Sequence, residues 1–175
     1  MATKANTRAE REARRSRAAE AEQTAKSSTD ALELLEQDHR EVEELFDEFD
    51  ETQGNDKRKE ELAQKICRAL EVHARIEEEV FYPRAREATK DDDLIDEAIV
   101  EHAGVKHLIA EIEAMEVGDD LYDAKVRVLE EMVKRHIQEE EEELFPELVS
   151  AKMDTKAVGR ELAERKHELI AEMKA

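Results

Sequence analysis

Apolar residues recur every three or four positions over four long stretches of the chain, and each stretch predicts an amphipathic helix. The first stretch follows SSTD at residues 27–30, a favourable sequence for capping a helix. Turn-forming sequences separate the helices: TQGND at 52–56, TKDDD at 89–93 and VGDD at 117–120. The second helix is predicted from Lys57 to Ala88, with a kink at Pro83, and a shorter fifth helix begins near Asp154. The pattern therefore predicts an all-α protein.

One histidine interrupts the apolar stripe of each of the four long helices. These residues are His39, His73, His102 and His136. The separation of the first two equals that of the last two, so the second pair repeats the first at a constant offset along the chain. The chain thus contains two copies of one helical hairpin, which together predict an up-down-up-down four-helix bundle. Matched loop lengths predict that the four histidines lie at similar depth within it.

A glutamate follows the histidine by four residues in the second helix of each hairpin. Glu77 follows His73, and Glu140 follows His136, so each glutamate points to the same side of its helix as the histidine. Two unpaired carboxylates inside a bundle would each cost several kcal/mol. A divalent cation removes that cost, because carboxylates and neutral imidazoles then become its ligands. We therefore predict that the four histidines and two glutamates form a metal site.

This donor set is larger than one tetrahedral zinc ion needs. Four imidazole nitrogens and four carboxylate oxygens provide four donors for each of two metal ions, with the carboxylates as bridges. Mixed imidazole and carboxylate ligation favours iron or manganese and also accommodates zinc. Iron is our choice. The remaining coordination positions would be open to dioxygen, peroxide or nitric oxide. Whether the protein is an enzyme stays open on this reasoning, and no catalytic residue is assigned.

Several nearby residues have a second interpretation. Tyr82 lies nine residues after His73 and could end near the metals, but Phe145 occupies the equivalent place, which favours packing. His107 is five residues from His102 and is interpreted as a surface residue. Cys67 is interpreted as a partly buried thiol. As the sole cysteine, it excludes an internal disulfide and a cysteine-based zinc finger.

Charge and composition narrow the function classes. The formal net charge of −20 argues against nucleic acid as a partner. No apolar run is long enough for a membrane span, and the N-terminus lacks the apolar segment of a secretory signal. We therefore expect a cytoplasmic protein with no membrane partner.

Residues 1–29 differ from the remainder of the chain. They hold seven Lys/Arg and four Glu, a net charge of +3, and almost no large apolar residue. This composition predicts a flexible or transiently helical arm. An organelle transit peptide, against which the four Glu count, and a docking arm for an acidic protein partner are the alternatives. The expected organisation is an arm at 1–29, a bundle at 30–150, and a C-terminal helix within 151–175 that packs on or extends the bundle.

Four segments carry a resemblance to a known family: EQDHREVEELF (36–46), HARIEEEVFYP (73–83), EHAGVKHLI (101–109) and HIQEEEEELFP (136–146). Over about residues 30–150 the chain resembles the hemerythrin-like HHE cation-binding domain. The resemblance implies two iron ions, bridged by oxo or hydroxo, in an up-down bundle. Carried over by motif, the ligands are His39, His73, Glu77, His102, His136 and Glu140.

The chain departs from the oxygen-carrying hemerythrins in one respect. Those proteins have a fifth histidine one turn from the third-helix histidine, whereas Ala98 and Lys106 occupy both such positions around His102. The departure argues against reversible oxygen carriage. It places the site closer to the four-His, two-Glu relatives linked to iron sensing or to reactions with peroxide or nitric oxide. Glu141 stays an alternative to Glu140, because the oxygen carriers place their second bridging acid five residues after the histidine.

Overall fold

A computed structural model describes residues 30–89 and 92–174 of the chain, and the arm predicted at 1–29 lies outside them. Seven α-helices and two π-helical turns make up these residues. The turn π1 (Glu77–Phe81) joins α2 to α3, and π2 (Glu140–Leu144) joins α5 to α6. The helices are α1 (Ala31–Glu51), α2 (Asp56–Ile76), α3 (Tyr82–Ala88), α4 (Asp93–Glu113), α5 (Tyr122–Glu139), α6 (Phe145–Ser150) and α7 (Thr155–Glu172).

Two hairpins form the bundle. Helix α1 packs along α2, and α4 packs along α5, while contacts of α1 with α5 and of α2 with α4 close the bundle. The all-α, four-helix prediction is confirmed. Helix α7 is the predicted extra C-terminal helix, and it packs against α1, α2 and π1, all in the first hairpin.

Side-chain caps fix three of the helix starts. The Asp30 carboxylate accepts a hydrogen bond from the Leu32 N–H at 2.9 Å, which begins α1 in the predicted capping sequence. Asn55 caps α2 in the same way, and Asp154 caps α7. The second helix thus begins one residue before the predicted Lys57, and its continuation through α3 ends at the predicted Ala88.

The prediction of a simple kink at Pro83 is refined by the structure. Pro83 follows π1, and Pro146 follows π2, so both hairpins contain the same combination. In each π turn, the N–H of the residue before the proline bonds the carbonyl five residues back. A π turn adds one residue to the helical repeat. The inward face therefore moves from Val80, which is half-buried, to Phe81 and Tyr82.

Apolar side chains form two separate clusters, one toward each end of the bundle. One cluster contains Leu35 and Tyr82, and the other contains Val42 and Val105. The four histidines lie at the boundary between these clusters, at the similar depth that the repeat predicts. Cys67 belongs to the second cluster and is fully buried, so its interpretation as a partly buried thiol was wrong.

None of the helices in the described ranges combines the length and the apolar character that crossing a membrane requires.

Candidate metal centre

The bundle brings all six predicted side chains together between its two apolar clusters, and each is buried. Helices α1 and α2 place the Nε2 atoms of His39 and His73 3.2 Å apart. Helices α4 and α5 place those of His102 and His136 at the same distance. The site therefore contains two imidazole pairs, one from each hairpin.

Two carboxylates lie between the imidazole pairs. Glu77 Oε2 is 3.1 Å from His73 Nε2 and 3.3 Å from His102 Nε2. Glu140 Oε2 is 3.4 Å from His39 Nε2 and 3.8 Å from the Nε2 atom of His136. Each glutamate thus reaches one histidine of each hairpin, which is the position that a bridging carboxylate needs.

The chemistry of this donor set fits a metal centre. Both oxygens of Glu77 and Oε2 of Glu140 are buried and receive no hydrogen bond of normal geometry within the described part of the chain. Such oxygens are costly to bury unless a positive group compensates them. Among the described residues, two sets of side chains each bring their donor atoms within 4.8 Å of one another. The first set is His39, His73, Glu77 and Glu140, and the second is Glu77, His102 and His136. Their shared residue is Glu77.

An outer carboxylate faces the second ring nitrogen of each histidine. Three of these contacts are hydrogen bonds in which Nδ1–H donates: His39 to Glu141 at 2.8 Å, His102 to Glu78 at 3.1 Å, and His136 to Glu101 at 3.0 Å. The fourth is longer, since His73 Nδ1 lies 3.6 Å from Asp38 Oδ2. Such partners fix the ring orientation and tautomer, so that Nε2 is free to bind a cation.

Sequence reasoning missed Asp38, Glu78 and Glu101, and it considered Glu141 only as an alternative bridge. The structure places Glu140 between the imidazoles and Glu141 outside them, against His39 Nδ1. The repeat held a signal for all four outer residues. Asp38 corresponds to Glu101, and Glu78 to Glu141, by the same offset that relates the histidines of the two hairpins.

A Lys or Arg side chain forms an ion pair with each outer carboxylate. Lys106 Nζ lies 2.7 Å from Glu78, for example, and Arg135 lies 2.7 Å from Glu101. The remaining two pairs are Arg40 with Glu141 and Lys166 with Asp38. Three of these cations come from the bundle, whereas Lys166 comes from α7.

The electrostatics of the centre favour positive charge. Burial raises the pKa of the Glu77 carboxyl, but His73 and His102 outweigh it and hold that pKa well below its ordinary value. Burial lowers the pKa of His73, but neighbouring carboxylates, chiefly Glu77, raise it to about 10. The pKa of His136 also rises, because carboxylates beginning with Glu101 outweigh its burial. The buried carboxylates therefore favour positive charge beside the imidazoles, and a metal cation can supply that charge.

Tyr82 does more than pack, contrary to the favoured interpretation. Its hydroxyl donates to Glu140 Oε1 at 3.3 Å and lies 3.4 Å from His102 Nε2. Burial, followed by the Glu140 charge, raises the pKa of Tyr82 well above its ordinary value, so the phenol stays protonated. Phe145, its equivalent in the second hairpin, stacks near the His39 ring with centroids 6.2 Å apart.

Among the described residues, no histidine other than these four lies at the centre. The His107 side chain is 77% exposed and points to solvent, as expected. Ala98 is buried without a donor atom, and Lys106 is engaged with Glu78.

A cavity of about 280 Å³ adjoins the four imidazoles. All four histidines line it, whereas Glu77 and Glu140 do not, so the cavity lies on the histidine side of the centre. It opens between α1, α2 and the last turns of α7.

Comparison with known proteins identifies the family and supports the fold. A family model of the hemerythrin HHE cation binding domain matches residues 30–148. The chain belongs to this family. This HHE-domain protein is also similar in structure to an HHE cation binding domain-containing protein from Mycobacterium kansasii. That likeness has a TM-score of 0.69 at 23% sequence identity and covers 80% of this chain and 86% of the other, which supports the fold.

One curated relative carries a different name. A protein of Nostoc sp. named DNA nickase is 35% identical over 94 residues, which is 53% of this chain. The matched part is 26% of that protein, so this HHE-domain protein spans about a quarter of its length.

Proposed function

We propose that this HHE-domain protein is a non-haem diiron protein that binds or reacts with a small oxidant, namely dioxygen, peroxide or nitric oxide. One observation carries the proposal. Both oxygens of Glu77 and Oε2 of Glu140 are buried without a hydrogen bond of normal geometry from the described residues, and each glutamate lies between imidazoles of the two hairpins. Imidazole and carboxylate ligands suit iron, and two carboxylates that each reach both hairpins suit two ions.

Each residue then has a defined role. Two His pairs and two Glu would hold the ions, which when bound supply redox chemistry and open coordination positions. The outer carboxylates keep each Nε2 turned inward. Tyr82 donates a hydrogen bond to Glu140 Oε1 and so fixes which oxygen of that carboxylate faces the imidazoles. The apolar clusters on both sides exclude bulk water from the centre.

The alternative is a sensing or binding module for iron or oxygen that performs no turnover. The same buried carboxylates favour it, because their compensation would couple metal binding to stability. A sensor loses structure when its metal is removed and does not turn over an oxidant. Repeated additions of oxidant with excess reductant distinguish the two, since only the first function gives continued consumption.

The name of the Nostoc relative does not lead us to propose cleavage of DNA. The match covers a quarter of that protein, and the net charge of −20 on this chain repels phosphates.

Metal analysis of the freshly purified protein, with an ultraviolet–visible spectrum recorded in air, tests the proposal first. We expect about two irons per chain and charge-transfer absorption that changes when peroxide or nitric oxide is added to the reduced protein. A single zinc ion per chain, or no metal at all after growth with added iron, would overturn the diiron proposal.

A further inference from the structure

The cavity beside the histidines is larger than a diatomic molecule or hydrogen peroxide requires. Its volume is about 280 Å³. By comparison, an engineered apolar cavity of roughly 150 Å³ stays dry and binds benzene. The space beside the centre can therefore hold a molecule with a substantial organic body.

The walls of the cavity are mostly apolar on their inner side. Val42, Val105, Val133 and Ile137 line it together with the imidazoles. Apolar walls offer water few hydrogen bonds, whereas they stabilise a hydrocarbon group that leaves water. The imidazoles and Asp38, which lies beside His73, are polar groups of the lining. A bound molecule would place its polar end at the imidazoles and its apolar body along the valines.

The outer end of the cavity gives access from the surface. Lys166 and Ile170 of α7 form this end together with Met173, which directly follows α7 and has an exposed side chain. Since α7 lies outside the four-helix bundle, a molecule can enter between α7 and the first hairpin without separating the bundle helices.

We propose that the small oxidant of this protein is an organic hydroperoxide, whose alkyl or aryl group occupies the cavity and whose peroxide group meets the imidazoles. The proposal rests on the proposed diiron function and specifies its oxidant. Reduction of the hydroperoxide would need two electrons, which two bound ferrous ions would supply by becoming ferric, and two protons from the buffered solution. The O–O bond would break, and the products would be the alcohol, water and two ferric ions.

The first test measures binding by calorimetry, with cumyl alcohol as an unreactive probe and the full-length protein as purified. Ala69 of α2 lines the cavity and is half-buried, so Ala69→Leu fills part of the space. Ala110 of α4 is exposed, so Ala110→Leu is the matched control. We expect one-site binding that Ala69→Leu weakens roughly tenfold and Ala110→Leu leaves unchanged. Absence of saturable binding to the wild-type protein, or equal binding by Ala69→Leu, would overturn the proposal.

A second measurement separates this proposal from the diiron function. The ferrous protein is mixed with cumene hydroperoxide or hydrogen peroxide, and the oxidation rates are compared. We expect Ala69→Leu to lower the rate with cumene hydroperoxide roughly tenfold and to leave that with hydrogen peroxide unchanged. Oxidation by hydrogen peroxide alone would reject the organic substrate and keep the diiron function. Binding of cumyl alcohol to protein that takes up no iron would reject both the diiron function and the hydroperoxide.

Circular dichroism shows whether Ala69→Leu folds. If it does not, Met173→Trp narrows the partly exposed mouth instead and is expected to weaken probe binding in the same direction.

Discussion

The first hairpin contributes His39, His73 and Glu77 to the centre, and the second contributes their equivalents in the repeat. Around these shared groups the hairpins differ. The first carries Tyr82 and is covered by α7, whereas the second carries Phe145 and lacks such a cover in the described structure. The inner donor set is therefore nearly symmetric, and the surroundings that control access and hydrogen bonding are not.

The outer carboxylates show the same difference. Glu101 accepts a hydrogen bond from His136 at 3.0 Å and pairs with Arg135 of its own hairpin. Asp38 lies 3.6 Å from His73 Nδ1 and pairs with Lys166 of α7. The comparison indicates that the repeat supplies the donor set, while α7 and the difference between Tyr82 and Phe145 give the two sides of the centre different surroundings.

Loss of either bridging glutamate should have the largest effect and should be equal in the two hairpins. Glutamine has nearly the same shape as glutamate but no negative charge, so Glu77→Gln and Glu140→Gln would each remove a charged metal donor that reaches histidines of both hairpins. We expect each variant to retain less than about half of the bound metal, as measured by elemental analysis. Glu143→Gln, at an exposed position of the same acidic run, is the control. Strong loss in only one variant would show that the two glutamates are not equivalent.

Removal of the metal should lower stability by an amount that both hairpins share. Metal present at a thousand times its dissociation constant stabilises the fold by about 4 kcal/mol. For a domain of this size that corresponds to roughly 10 °C in melting temperature, measured by thermal denaturation with and without a chelator. The Glu77→Gln/Glu140→Gln double variant should show no chelator effect. A similar drop in that variant would mean that the chelator acts elsewhere.

Substitution of the outer carboxylates should sharpen the comparison between hairpins. Loss of such a partner typically lowers metal affinity 10–100-fold. Glu101→Gln removes a hydrogen bond of normal length, whereas Asp38→Asn changes a longer contact, so we expect the larger loss from Glu101→Gln. Competition with a chelator of known affinity measures both variants. An equal or larger loss of metal affinity from Asp38→Asn would indicate that Asp38, held by Lys166 of α7, positions His73 more strongly than their 3.6 Å separation suggests.

Exchange of the two aromatic residues should have a smaller effect. Tyr82→Phe leaves Glu140 Oε1 without the hydroxyl that donates to it, and such a loss costs about 1 kcal/mol. The cost appears as a lower free energy of unfolding in urea. Phe145→Tyr is the reciprocal variant and tests whether the second hairpin accepts a hydroxyl at the same place. If Tyr82→Phe had the same free energy of unfolding as the wild-type protein, the hydrogen bond from Tyr82 to Glu140 would not contribute to the difference between the hairpins.

The smallest effect concerns Cys67, whose equivalent in the second hairpin is Glu130. Burial raises the pKa of the Cys67 thiol to about 12, so it stays protonated at neutral pH. The thiolate is the reactive form. We expect no alkylation by iodoacetamide in the folded protein and full alkylation in denaturant, as measured by mass spectrometry. Rapid labelling of the folded chain would show that the second apolar cluster opens readily.

Periodicity and the internal repeat were sufficient to predict the helices, the bundle and the six side chains that meet in its centre. They succeed because both depend on spacing within a helix, which sequence displays directly. The assignment of Glu140 over Glu141 followed from the repeat, and the geometry agrees, since Glu140 faces both hairpins.

The remaining features depend on contacts between helices, which one sequence does not display. Lys166 meets Asp38 only because α7 folds back on the first hairpin. The polar contacts of Tyr82 depend on π1, and no sequence pattern distinguished that turn from a proline kink. The cavity likewise arises where side chains of α1, α2, α4, α5 and α7 leave space between them.

The two π turns also divide the second long helix of each hairpin into two parts with separate rotational phase. One residue corresponds to about 100° of rotation around a helix. If π1 adopted regular α-helical geometry with no residue deleted, Tyr82 would turn by roughly 100° away from Glu140 while His73 stayed in place. The end of the bundle that carries Tyr82 and Phe145 can thus be rotated independently of the histidines, and the chain can change what surrounds its metal centre without altering the side chains that form it.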